Sequence, residues 1–203
     1  MQNLIDIDQS VFSWFNSLVG VSPILDWKLK FFAVYLIYLV PVLLLFFWFY
    51  PTSPRLRGAR EKNEKTQLFL LNLLITSVIS WQVIARIIGE WINRPRPDTF
   101  LGTKELLFHP PTYAFPSDHA LFLAFITTFL FLGGYKKMGW IALIATIIIS
   151  LSRVIIGFHW PLDVLVGWII GIILAYLFYQ LRNLIEKYLS KPLLNIAKKI
   201  GLA

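Results

Sequence analysis

The chain has 203 residues, of which 57% are hydrophobic and only 15% charged, and it contains no cysteine. Soluble domains of this size are about one quarter charged, so the composition excludes an ordinary soluble domain. The missing cysteines exclude disulfides and thiolate metal sites.

Residues 3–18 interleave Leu4, Ile5, Ile7, Val11, Phe12, Trp14, Phe15 and Leu18 with Asp6, Asp8, Gln9 and Ser10. This pattern predicts a short amphipathic helix lying at a membrane interface; a helix packed on the rest of the molecule is the alternative. Acidic residues stand where a cleavable signal peptide has its basic region, and no compact apolar stretch precedes a small-residue cleavage site. No such peptide is expected.

Apolar runs follow at 31–50, 68–88, 120–134 (extended by its flanks), 138–156 and 161–181. Runs of about 18 or more such residues read as membrane helices. The predicted fold is therefore all-α, a polytopic membrane helix bundle of about five transmembrane helices plus the N-terminal amphipathic helix. A single domain is expected over 1–203, with 1–28 as interfacial helix and lead-in, 29–181 as transmembrane core and 182–203 as a basic amphipathic tail.

The net charge of +8 has the sign that nucleic acid selects, but its distribution points elsewhere. Arg55, Arg57, Arg60, Lys62 and Lys65 lie between the first two runs, Lys136 and Lys137 between the third and fourth, and Arg182, Lys187, Lys191, Lys198 and Lys199 after the last. These segments fall on one side of the membrane, and an excess of Lys and Arg marks that side as cytoplasmic. Five crossings then leave the N-terminus outside and the C-terminus inside a plasma or inner membrane. The charge serves topology, no nucleic-acid partner is expected, and the tail suits anionic headgroups.

The opposite loops hold most of the unusual polar residues. They read "GEWINRPRPDTF", "FPSDHA" and "SRVIIGFHWPLDV". A charge near mid-membrane costs about 2.5–3.5 kcal/mol on insertion scales, less toward the interface, so Arg94, Arg96, Ser117, Asp118, His119, Arg153, His159 and Asp163 gathered on one face predict a functional site. Arginine forks match phosphate oxygens. Ser117 or Asp118 can cap the third span, whose N-terminus then favours an anion. Two histidines can divide the roles of nucleophile and general acid. Asp163, four residues after His159, can share its helical face and bond one ring nitrogen, leaving the other to attack; Pro161 places His159 at the helix start rather than inside it, which leaves that contact open. The set suits phosphoryl transfer through a phosphohistidine with no metal and no other cofactor.

"RPRP", "PSDH" and the Ser152-Arg153, His159, Asp163 spacing resemble the three signature motifs of the type 2 phosphatidic acid phosphatase superfamily of membrane lipid phosphatases. The third motif matches at every fixed position; the second has Asp118 where many members carry glycine. The resemblance implies His159 as nucleophile, Asp163 as its orienting partner and His119 as the acid that protonates the leaving oxygen. It implies that Arg96, Ser117, Asp118 (through its backbone) and Arg153 hold the phosphate. The first motif departs from the pattern, since the lysine usual seven residues before the arginine is Gly89 here. Arg86, Arg94 or Lys104 can replace it.

Within that superfamily the sequence is similar to bacterial undecaprenyl-pyrophosphate phosphatases, which implies removal of the terminal phosphate of a polyprenyl diphosphate at the external face. A phosphatidylglycerophosphate or phosphatidate phosphatase would use the same residues. A catalytically inactive lipid-binding or scaffold protein is the rival from another class, with Gly89 in its favour; a transporter lacks support from internal repeats. The membrane lipid substrate is the one partner expected, and the sequence does not indicate an oligomeric state. Arg94 is read as a site residue or a headgroup anchor, His109 as a loop residue, Asp98 and Glu90 as solvated, and Gly167 and Gly171 as a close helix contact.

Overall fold

The computed structural model describes residues 2–49, 59–99, 102–107 and 113–202, and these are all-helical with turns and short connections. His109 and the basic stretch at 50–58 lie outside the described residues. Helix α1 is Gln2–Asn16 and α2 is Pro23–Phe49. Helix α3 runs over 59–92, α4 is Asp118–Leu132, α5 is Lys136–Ile155, α6 is Pro161–Gln180 and α7 covers 182–199.

Four of these, α2, α3, α5 and α6, are long and apolar enough to cross a membrane. The third expected span is α4, of 15 residues, hence about 22 Å long at 1.5 Å per residue. It is shorter than the roughly 30 Å hydrocarbon core, and it is also the helix most enclosed by the others. Ala120, Leu121, Phe125 and Phe129 on it are fully or almost fully buried. The outer helices instead expose Leu, Ile and Phe side chains such as Leu43, Phe46, Ile144 and Ile173, as a lipid-facing surface requires.

Helix α6 lies against α4 because Gly167 and Gly171 have no side chain to hold it off. A Cβ at Gly167 would stand 2.9 Å from the Ser117 carbonyl oxygen, and one at Gly171 would stand 2.4 Å from that of Leu121. The small-residue pair thus performs the close packing expected of it, and it brings the start of α6 beside the start of α4.

Helix directions place the ends of α3 and α5 and the starts of α4 and α6 at one end of the bundle. Lys65, Lys136 and Lys137 lie at the other end, where α7 folds back. Ser190 Oγ donates to Asn72 Oδ1 at 2.5 Å, and Lys198 pairs with Glu64 at 2.8 Å. The tail is therefore tied to α3 on one side, while Leu193, Ile196 and Ile200 remain exposed on the other.

The N-terminal helix combines both alternatives read from its sequence. Phe12 and Asn16 are buried against the bundle, whereas Leu4, Ile7, Val11 and Trp14 are exposed. One face packs, and the other is the apolar surface expected of an interfacial helix.

Candidate active site

Three chain reversals build the site. Helix α3 ends on Asn93, which adopts a left-handed conformation with φ 45° and donates from its amide to the Gly89 carbonyl. Asparagine tolerates this geometry better than most residues, and the turn sends Arg94-Pro95-Arg96-Pro97 back over the bundle end. Helix α5 closes on Gly157 at φ +89°, with the Phe158 amide donating to the Arg153 carbonyl. Helix α6 then opens at Pro161, a residue suited to a first helical position, with the Asp163 carboxylate accepting the Trp160 amide at 2.9 Å.

His159 sits between these turns and is 1% exposed. Its Nδ1 lies 2.8 Å from the Ala114 carbonyl. A carbonyl only accepts, so Nδ1 carries the proton and the Nε2 lone pair is available. Nε2 faces the Arg153 guanidinium at 3.3 Å and that of Arg96 at 3.4 Å. His119, in the first turn of α4, has Nε2 3.4 Å from the same Arg153 guanidinium. Both imidazoles therefore flank one cation.

The orientation of His159 differs from expectation. Among the described residues the Asp163 carboxylate is bonded not to His159 but to Arg94 at 2.6 Å and to the Trp160 amide, and the Asp163 carbonyl accepts the Ser117 amide at 3.0 Å. The chain turns between His159 and Pro161, so the two side chains do not share a helical face. A backbone carbonyl sets the ring, and Asp163 fixes the start of the helix that follows.

The arginines are held rather than mobile. Arg96 donates to the Phe158 carbonyl at 2.5 Å, and Arg153 donates to the Ala33 carbonyl at 3.1 Å. Ala33 lies in a π-helical turn of α2, Phe31–Tyr35, a local widening that occurs often at functional sites. Two buried donors lack partners among the described residues, Ser117 Oγ and Arg153 Nε. Ser117 occupies the N-cap position of α4, yet its hydroxyl makes no capping bond. Buried polar groups without partners are costly, and one at a helix start together with one on a buried guanidinium suits an anion.

Asp118 receives a hydrogen bond from Trp81. Asp98 is not the solvated residue expected, because its Oδ1 is buried and has no partner among the described residues. Arg94 proves to be an interior hub, bonded to Asp8 at 2.5 Å and to Asp163 at 2.6 Å, and stacked over Trp160.

Gly89 also has a structural reason. A Cβ there would lie 2.1 Å from the Tyr113 ring, so the ring fills the space a lysine stem would need. Of the three cations that can replace that lysine, Arg94 is engaged by two carboxylates and Lys104 reaches the Val19 carbonyl at 3.3 Å. Arg86 hydrogen-bonds Tyr113, and its charge acts on Asp118.

Burial, then the charges of Arg153 and Arg96, push His159 well below the usual imidazole value, only partly offset by the Ala114 bond. Burial lowers Arg96 as well, opposed by Asp118, Asp163 and Asp98. An unfolded histidine titrates near about 6.5. Below that pH the unfolded chain holds a proton that folded His159 does not, so this group removes stability as pH falls. In nitrogen-15 histidine NMR of the substrate-free protein at pH 6.0, His159 should give the neutral, Nδ1-protonated signature; an imidazolium signal would contradict this environment.

The PAP2 superfamily profile matches residues 67–187, more than half of the chain. The chain belongs to the PAP2 superfamily. It is 39% identical over 114 residues to an undecaprenyl-diphosphatase of Sulfolobus acidocaldarius, a match covering 54% of this chain and 55% of that protein. It therefore spans about half the length of that relative. It is 27% identical over 185 residues to undecaprenyl-diphosphatase BcrC of Bacillus subtilis, covering 91% and 89% of the two chains. In fold it resembles the crystal structure of a transmembrane PAP2-type phosphatidylglycerolphosphate phosphatase from Bacillus subtilis, with a TM-score of 0.62 and 23% identity over 93% of this chain and 90% of that one. With four membrane-capable helices, the chain is a multi-pass membrane protein.

Sequence reasoning missed Asp8, Asn16, Ala33 and Ala114. Two act through backbone carbonyls, which leave no mark in a sequence. Asp8, Phe12 and Asn16 did leave one, a spacing of four residues on one helical face.

Proposed function

We propose that the chain is a metal-independent membrane lipid phosphatase that removes the terminal phosphate of a polyprenyl diphosphate, undecaprenyl pyrophosphate being the leading substrate. The observation that carries this reading is the pair of imidazole Nε2 atoms on one buried guanidinium, beside an unpartnered serine hydroxyl.

The terminal phosphate enters the cradle of Arg96, Ser117, Arg153 and the first turn of α4. His159 Nε2 attacks phosphorus, and the bond to the bridging oxygen breaks. His119, entering as imidazolium, gives its proton to that oxygen, which leaves as the prenyl monophosphate. Neutral His119 then takes a proton from water, the water oxygen attacks the phosphohistidine, and inorganic phosphate departs as His159 is restored. Two fixed guanidiniums neutralise the developing charge, the work a metal would otherwise do. Arg86, held by Tyr113, supplies the contact that the lysine gives in other members.

A cavity of about 390 Å³ supports a lipid substrate, being lined by Tyr38, Leu74 and Phe122 and ending on Trp81, Asp118 and His119. It offers the tail an apolar path beside the leaving-group side of the site. The basic residues at the opposite end favour an external site and a cytoplasmic C-terminus by the positive-inside rule.

The test is phosphate release in detergent containing EDTA, with polyprenyl diphosphate, phosphatidylglycerophosphate and phosphatidate in competition. The diphosphate should give the highest kcat/KM, unaffected by EDTA. Loss of activity in EDTA contradicts the mechanism, and preference for a phospholipid transfers the assignment to that substrate.

A further inference from the structure

We propose that α1 is a membrane-docked brace for the active site, with Asp8 as a positioning residue. The proposal rests on the phosphatase reading above and adds an element that none of the three motifs contains.

Asp8 has a side chain that is 0% exposed. One oxygen accepts the Leu162 amide at 2.9 Å, at the open start of α6, and the other takes Arg94 at 2.5 Å. Arg94 passes the constraint to Asp163, and Asp163 holds both the Trp160 amide and the Ser117 amide. One turn further along α1, Phe12 packs on Trp160 with ring centroids 5.0 Å apart. Another turn on, Asn16 donates to the carbonyls of Ile155 and Lys104, both at 2.9 Å, and accepts the Lys104 amide at 2.8 Å. A single face of α1 therefore fastens the loop carrying Arg96, the end of the helix carrying Arg153 and the turn carrying His159.

The other face carries the second half of the inference. Leu4, Ile7, Val11 and Trp14 are exposed at spacings of three and four residues, so they line one apolar stripe. The helix lies at the bundle end that receives lipid headgroups, and such a stripe partitions into the headgroup–acyl boundary. The occupant of this face is the lipid surface. Docking there holds α1 against the site, so turnover responds to the membrane through Asp8.

The site chemistry and the docking separate experimentally. Replacing Asp8 by Asn leaves Arg94 and Asp163 as a balanced pair, so a merely structural role predicts a folded protein with normal turnover. Positioning predicts instead that Asp8→Asn, folded by size exclusion and thermal unfolding, loses at least about tenfold in kcat toward both p-nitrophenyl phosphate and polyprenyl diphosphate, with KM little changed. Asp8→Glu keeps the charge but displaces the carboxylate, and it should be folded and intermediate in kcat. If Asp8→Asn does not fold, normal kcat in Asp8→Glu overturns the proposal.

The double variant Ile7→Ser/Trp14→Ser tests the outer face in nanodiscs of phosphatidylethanolamine and phosphatidylglycerol. It should lose several-fold in kcat on both the soluble ester and the lipid, since undocking releases the Asp8 brace; unchanged kcat on both overturns the coupling to the membrane. A spin label at Ile7→Cys should report membrane depth by oxygen accessibility, and one at Ser13→Cys should report water. Full turnover in Asp8→Asn, or a water-exposed label at Ile7, overturns the brace. Wild-type protein inert toward both substrates overturns the phosphatase reading instead.

Discussion

Replacing His159 by alanine should abolish phosphate release, with a loss of kcat of at least about 10⁴-fold. In the proposed mechanism the nucleophile has no substitute. The ring is buried, its Nδ1 is committed to the Ala114 carbonyl, and only Nε2 faces the two guanidiniums. Removal of a covalent nucleophile eliminates the step, whereas removal of a proton donor slows it. His119→Ala should therefore behave differently. It should lose about 10²–10⁴-fold on a lipid substrate, the usual range for general acid catalysis, and less in the first step on an aryl phosphate whose leaving group needs no proton. Steady-state kinetics with both substrates tests the contrast; equal losses in the two variants on both substrates would contradict the division of roles.

Arg153→Lys should lower kcat/KM by about 10²–10³-fold, the range for deleting one oxyanion donor. Lysine retains the charge but not the fork. In the native site one nitrogen of the fork reaches the Ala33 carbonyl and His119, the other reaches His159, and Nε has no partner among the described residues. An ammonium at the end of a flexible stem cannot hold these directions together. Arg153→Ala should lose more activity and also stability, because the buried bond from Arg153 to the Ala33 carbonyl is lost. Measured kcat/KM for Arg153→Lys within threefold of wild type would remove Arg153 from the phosphate cradle.

Much of this arrangement was legible in the sequence because membranes simplify the problem. Lipid forces apolar runs to be helices, so the runs near 31–50, 68–88, 120–134, 138–156 and 161–181 anticipate α2 to α6 in order. Polar residues are costly there, so the gathering of Arg96, Ser117, His119, Arg153 and His159 in alternate loops stands out, and the structure does bring these five together. The Gly167 and Gly171 pair was legible for a related reason, since spacing alone places both on one helix face.

The remainder depended on contacts that spacing does not encode. Asp163 stands four residues from His159, an interval that suggests a shared face only if one helix spans both; the Trp160-Pro161 start of α6 prevents this. Asp8 lies 154 residues from Leu162, and in an amphipathic helix an aspartate reads first as a solvated group. Gly89 stands where the motif has lysine, and the Tyr113 ring that fills its space follows a stretch of sequence with no periodic pattern.

The central claim is that phosphate passes through a covalent bond to His159. The most direct measurement is rapid acid-free quench of the protein with a phosphorus-32-labelled aryl phosphate, followed by mass spectrometry of the labelled peptide. The claim predicts acid-labile, alkali-stable phosphate on His159. The label should accumulate in His119→Ala, where release by water loses its base, and be absent in His159→Ala. Phosphate on another residue, or rapid turnover with His159 never labelled, would contradict it.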